Sequence, residues 1–230
     1  MIIAIGGGEV RKNETYAIDK FIVDQAKKAR ANLLFIPTAS KDSRAYVTTI
    51  ESLYTSLACS VDSLFLCDSD MTEEIAKNKI DHADIIYVGG GDTDFMMKKW
   101  REFKVDKFLL EAYKKNKILS GLSAGSICWF AAGFDFEDVG GKVNYSKIDG
   151  LGIIPFLNCP HYDQVDSLNF DSFLRGQVES TGKNLDLIAV ENQTAIVWEE
   201  NDLYVIKSNP DKNVYRLKAC DNSFKKEIFL

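Results

Sequence analysis

Along this chain, short runs of apolar residues end in glycine or small polar breaks, and each break opens onto a longer stretch with apolar residues at helical spacing. "MIIAIGGG" is followed by a helical pattern over about 14–30, "NLLFIPTAS" by one over about 43–58, and "SVDSLFLC" by a shorter one over about 72–79. "DIIYVGGGDT" leads into about 94–116, with a break near Phe103, and "KILSGLSAG" leads into a helical segment after Ser123. Strands that are apolar on both faces and alternate with amphipathic helices are buried parallel strands in βα units. The pattern therefore predicts an α/β fold, a doubly wound, mostly parallel sheet flanked by helices. The last third reads differently. "TAIVWEENDLYVIKS" predicts two strands joined by a polar turn, and "NVYRLKAC" a third, forming a C-terminal antiparallel extension of one domain spanning 1–230.

Composition narrows the function more than the fold. The 230 residues suffice to bury a substantial core, and the formal charge of −6 does not suit a nucleic-acid binder. Lysines cluster at Lys98–Lys99 and at Lys114, Lys115 and Lys117, but between apolar helical positions, as on a solvated helix face. No apolar run has transmembrane length. The five cysteines, Cys59, Cys67, Cys128, Cys159 and Cys220, form no C-x-x-C pair, and no basic-apolar leader is apparent. Together these features lead us to expect a cytoplasmic protein, so the N-x-[ST] matches at Asn13, Asn144 and Asn192 carry no weight.

In an open parallel sheet, ligands collect at the C-terminal strand ends. Gly6–Gly8, Thr38–Ser40, Gly89–Asp92 and Ser123 are all predicted there. "GGGEVR" and "GGGDTD" lack the third glycine of a dinucleotide fingerprint, having Arg11 and Asp94 at that position, and no P-loop G-K-[ST] exists. With only His82 and His161 available, a metal site is not expected, nor is an organic cofactor. The pattern Gly121-Leu122-Ser123-Ala124-Gly125 follows a predicted strand and precedes a predicted helix, the context of a nucleophile on a sharp turn at a helix N-terminus. The Ala124 N–H would then face a developing oxyanion. A serine needs a general base. His82 lies in a polar, loop-like stretch, whereas His161 follows Pro160 in an apolar-flanked loop and is the better candidate. The acids between Ser123 and His161 are Asp135, Glu137, Asp138 and Asp149, the first three in a segment, "FDFEDVGG", read as a loop. Fewer than forty residues separate Ser123 from His161, too few for an α/β-hydrolase.

With "YVGGGDT", "GLSAGSICWF" and "PHYD" in this order, the chain up to about Arg175 resembles the peptidase E family of serine peptidases. The resemblance implies a fold like that of the class I glutamine amidotransferases, with serine in place of their cysteine. It also implies Ser123 as nucleophile, His161 as base, and Gly91 and Ala124 as oxyanion-hole donors, each such donor worth about 10²–10³ in rate. For the acidic member, family spacing favours Asp138, with Glu137 or Asp135 as alternatives. Relatives often place arginines soon after the "PHYD" histidine, but this chain has no Lys or Arg between His161 and Arg175. The expected function is hydrolysis of short peptides, led by N-terminal Asp-Xaa dipeptides. A different N-terminal specificity (including isoaspartyl, cyanophycin-type linkages), a carboxylesterase and a non-catalytic α/β binding module are the alternatives. The expected partner is a short peptide and, at most, a second copy of the chain in a homodimer, with no nucleic acid and no membrane. Activity through a histidine base should fall on acidification, ordinarily near about pH 6.5. "CWF" after the turn is expected to pack core.

Overall fold

The computed structural model describes residues 1–140, 142–181, 185–220 and 223–229. Five parallel strands form the centre of the main sheet: β1 (Ile2–Ile5), β2 (Asn32–Ile36), β3 (Ser60–Ser63), β4 (Ile85–Val88) and β5 (Ile118–Leu122). Antiparallel β10 (Thr194–Glu199) pairs with β1, and β11 (Asp202–Lys207) completes the edge, giving the order β11-β10-β1-β5-β4-β2-β3.

Apolar strands are buried on both faces because helices cover both. Ile3 and Ile5 of β1 pack with Ile18 and Ile22 of α1 (Tyr16–Gln25) and Ile50, Leu53 and Tyr54 of α2 (Arg44–Ser56). Ile2 and Ala4, alternating to the other face, join a core containing Ile80 of α3 (Glu73–His82), Trp100 of α4 (Thr93–Glu102) and Leu109 of α5 (Val105–Lys114). The predicted break near Phe103 is the α4–α5 junction, where Lys104 takes a left-handed conformation. His82, expected in a loop, is the last residue of α3, and its Nδ1 lies 2.7 Å from the Asn78 carbonyl.

The region after Ser123 departs from expectation. The helix there, α6 (Ala124–Ile127), is only a single turn, although Cys128, Trp129 and Phe130 are fully buried core as expected. The supposed acidic loop belongs to a hairpin of β6 (Phe130–Val139) with β7 (Lys142–Asp149). The physical signal is the alternation of Phe134 and Phe136 with Asp135 and Glu137, a period of two that fits a strand with one face covered. This hairpin starts a second sheet, which continues through β8 (Ile154–Cys159), β9 (Asp186–Val190), β12 (Val214–Cys220) and β13 (Ser223–Phe229) in the order β13-β12-β9-β8-β6-β7. The predicted strands at 194–207 extend the main sheet, whereas "NVYRLKAC" pairs with β9 in this second sheet. The outer face of the second sheet packs on α7 (Ser167–Thr181) through Phe134, Phe170 and Leu174. Ile154, Ile188 and Val214 of the second sheet belong to the core beneath the main sheet, so the two sheets share one apolar interior.

Candidate active site

The end of β1 gathers the site. Its Ile5 carbonyl accepts from the Ser123 N–H at 3.0 Å, and the Gly6 carbonyl accepts from the His161 N–H at 3.0 Å. One residue on, the Gly7 carbonyl accepts from the Gln193 N–H at 2.9 Å. Three segments distant in sequence are thereby fixed to consecutive carbonyls of one strand end.

Ser123 caps β5 with φ 58° and ψ −113°, a conformation rarely adopted by non-glycine residues and characteristic of a nucleophile elbow. The flanking glycines are required by space. A Cβ on Gly121 would lie 2.2 Å from the Gly125 carbonyl oxygen, and one on Gly125 would lie 2.2 Å from that of Val88. Small residues and a strained serine are therefore two aspects of the same turn.

Ser123 Oγ stands 2.9 Å from His161 Nε2, and His161 Nδ1 stands 2.8 Å from Asn192 Oδ1. The network assigns the protons. Asn192 Nδ2 lies 3.3 Å from Asp163 Oδ2, and only the amide N–H can face a carboxylate, which turns Oδ1 toward the imidazole. Nδ1 must then carry the hydrogen, and the Nε2 lone pair faces the serine hydroxyl, the tautomer a general base needs. Asp163 also accepts from the Asn192 N–H at 2.9 Å and from Lys212 Nζ at 2.7 Å. Burial pushes the Asp163 carboxyl up, but the Asn192 N–H and the Lys212 ammonium outweigh it and hold the group below the usual carboxylate range. The imidazole and the Phe136 ring also form a T-shaped pair, with 6.5 Å between centroids and 89° between planes.

The site thus brings together Ser123, His161 and a third side chain that composition and spacing had not suggested. Asn192 had drawn notice only as a glycosylation-like match. Of the acids expected beside His161, Asp135 is turned to Thr93 Oγ1 at 2.7 Å and to the Phe136 N–H at 2.9 Å. Glu137 and Asp138 lie on β6, and their side chains fall outside the described residues. Asp149 ends β7.

The "GGGDT" turn lies alongside. A Cβ on Gly90 would sit 3.2 Å from Ser123 Cβ. Gly91 has φ +139°, and a Cβ there would meet the Ala39 carbonyl oxygen at 2.3 Å. Neighbouring amides are engaged: Gly89 N–H donates to Ile36, Asp92 N–H to Ala39, and Gly90 N–H to the Tyr46 hydroxyl at 3.4 Å. Burial pushes that phenol up to about 12, so it is neutral at ordinary pH. Among the described residues, the N–H groups of Gly91 and Ala124 have no hydrogen-bond partner. The arrangement can supply a hydroxyl, a base poised to deprotonate it, and two uncommitted amide donors.

The chain is similar to known peptidases. The model for Peptidase family S51 matches residues 2–206. The uncharacterized peptidase YgaJ of Bacillus subtilis is 34% identical over 163 residues, which cover 70% of this chain and 68% of that protein. Among solved structures, a peptidase from an acI-B1 Actinobacterium superposes with a TM-score of 0.69 at 18% identity, covering 99% of this chain and 96% of that one. A candidate peptidase E protein from Listeria monocytogenes EGD-e gives a TM-score of 0.62 at 19% identity, over 90% and 97% of the two chains. These likenesses carry the glutamine amidotransferase-like fold expected from the sequence, and with the family match over nearly the whole chain they establish that this protein belongs to Peptidase family S51, the peptidase E family.

Proposed function

We propose that this peptidase hydrolyses short peptides through an acyl-enzyme on Ser123, with N-terminal Asp-Xaa dipeptides as the leading substrates. The observation that carries the reading is the continuous chain from Ser123 Oγ through His161 to Asn192, at 2.9 and 2.8 Å. Ser123 Oγ attacks the scissile carbonyl carbon while its proton passes to His161 Nε2. The carbonyl oxygen becomes an oxyanion that accepts from the Gly91 and Ala124 N–H groups. As the C–N bond breaks, the Nε2 proton moves to the leaving amine. Water then attacks the ester, gives a proton to Nε2, and Ser123 leaves with that proton restored. Asn192 holds the ring in the productive tautomer without adding a charge of its own, and Asp163, the carboxylate that Asn192 meets, acts one hydrogen bond further out.

The test is hydrolysis of Asp-Leu, Ala-Leu, Glu-Leu and isoAsp-Leu by wild type and by Ser123→Ala. Cleavage of Asp-Leu that disappears in the variant is the expected result. Cleavage restricted to the other peptides would keep the chemistry and reject the aspartyl preference. Turnover of activated esters with no peptide cleaved would overturn the peptidase reading for this site.

A further inference from the structure

The sequence after His161 offers no cation for a substrate carboxylate before Arg175, yet the fold supplies one from another place. A cleft of about 330 Å³ opens between the segment after β1 and the first turns of α2, lined by Gly8, Glu9, Arg11, Ser43, Tyr46 and Thr49. Its volume is at the small end of the range for ligand pockets. Two of its walls adjoin the candidate active site. Gly8 follows Gly7, where a Cβ would lie 2.4 Å from His161 Nδ1. Tyr46 receives the Gly90 N–H, and Gly90 abuts Ser123.

Arg11 is held in this cleft by a single bond. Its Nε donates to Thr49 Oγ1 at 3.1 Å, and that hydroxyl in turn donates to the Ala45 carbonyl at 3.0 Å, which fixes the direction of both bonds. Among the described residues, the guanidinium has no ion pair, and its terminal N–H groups have no partner. The contrast with the larger cleft of about 530 Å³ at the opposite strand ends is direct. There Lys28 holds Asp84, Lys115 holds Asp81, and Lys117 donates to the Asp81 and Ala83 carbonyls. A guanidinium with its side edge tied and its terminal N–H pair open presents the fork that a carboxylate fits in bidentate fashion. With Glu9 in the same wall, the cleft is close to neutral, so selection depends on this directed pair rather than on a general positive field.

We propose that Arg11 is a specificity-determining residue that binds a carboxylate of the peptide substrate, either the side chain of an acidic N-terminal residue or the C-terminal carboxylate of the leaving residue. The inference rests on the peptidase reading above, and its test is therefore made on binding rather than turnover. Titration calorimetry of Ser123→Ala and of Ser123→Ala with Arg11→Gln would use Asp-Leu, Asp-Leu-amide, Ala-Leu and Ala-Leu-amide. Arg11→Gln should weaken Asp-Leu by about 10- to 100-fold, the size of a lost charge-assisted pair, and leave Ala-Leu-amide unchanged. A loss for Asp-Leu-amide assigns the side-chain carboxylate, and a loss for Ala-Leu the C-terminal one. Equal affinities in the two backgrounds, an equal loss for Ala-Leu-amide, or no binding of any of the four would overturn the proposal. Wild-type turnover reports on the peptidase reading separately: binding that depends on Arg11 without hydrolysis would refute the chemistry and keep the anchor.

Discussion

At the scale of single residues, the side chain that meets the imidazole of His161, the proposed base, is a neutral amide. Gly7 is part of that arrangement, since a Cβ there would lie 2.0 Å from Asn192 Oδ1 and 2.4 Å from the imidazole. Asn192→Ala removes the acceptor for Nδ1–H, and Gly7→Ala drives the acceptor away, so both should free the ring to turn. We expect each to lower kcat by about 10- to 100-fold, the cost of one partly buried hydrogen-bond partner, with little change in KM. Steady-state kinetics on the best substrate of the peptide panel checks this. A full kcat in Asn192→Ala would show that another group orients His161.

At the scale of elements, α1 and α2 are joined beneath the cleft by a buried carboxylate. Asp19 accepts from Thr15 Oγ1 and from the Tyr54 hydroxyl, both at 2.8 Å. Burial raises its pKa from 3.8 to about 6, against the two hydroxyl bonds, which lower it. The folded-state value is above the unfolded one, so the stabilisation is complete below about 3.8 and is lost as pH rises through about 6. A shift of that size corresponds to about 3 kcal/mol between the two limits. Asp19→Asn can keep both contacts, because a hydroxyl can rotate to accept from the amide. Its urea midpoint should therefore change less than that of wild type between about pH 4 and pH 7. Parallel pH profiles for the two proteins would remove Asp19 as the source.

At the scale of the whole molecule, the candidate site is assembled where the two sheets meet. Asp163 follows β8, Asn192 joins β9 to β10, and Lys212 lies between β11 and β12, so the Lys212–Asp163 pair ties loops from both sheets behind the imidazole. The lysine side chain is 31% exposed and the aspartate 14%, which places the pair nearer the surface than the core. Pairs of that kind contribute at most about 1 kcal/mol, so Lys212→Met should lower kcat no more than about fivefold. Raising the ionic strength should lower wild-type kcat while leaving the variant's nearly constant. A hundredfold loss in Lys212→Met would mean that Asp163 needs its counter-ion to hold Asn192 at all.

The local part of this protein was determined by its sequence. Apolar runs ending in glycine or small polar residues marked β1, β2, β4 and β5, helical periodicity marked the helices that cover them, and Gly-Leu-Ser-Ala-Gly marked the turn at Ser123, because each of these patterns states a local steric or burial requirement. His161 was legible since only two histidines were present to choose from. The second sheet was hidden by charge: Asp135, Glu137 and Asp138 look like a solvated loop until the alternating Phe134 and Phe136 are given a face to cover. Asn192 and Arg11 carried no local signal at all. An asparagine in a polar turn meets the imidazole, and an arginine after a glycine run meets Thr49 of α2, only in the folded chain, where pairing along β1 brings residues 5–7, 123, 161 and 193 to one strand end. Tertiary structure decided those partners because hydrogen bonds between distant loops depend on strand order and register, which no short window of sequence contains.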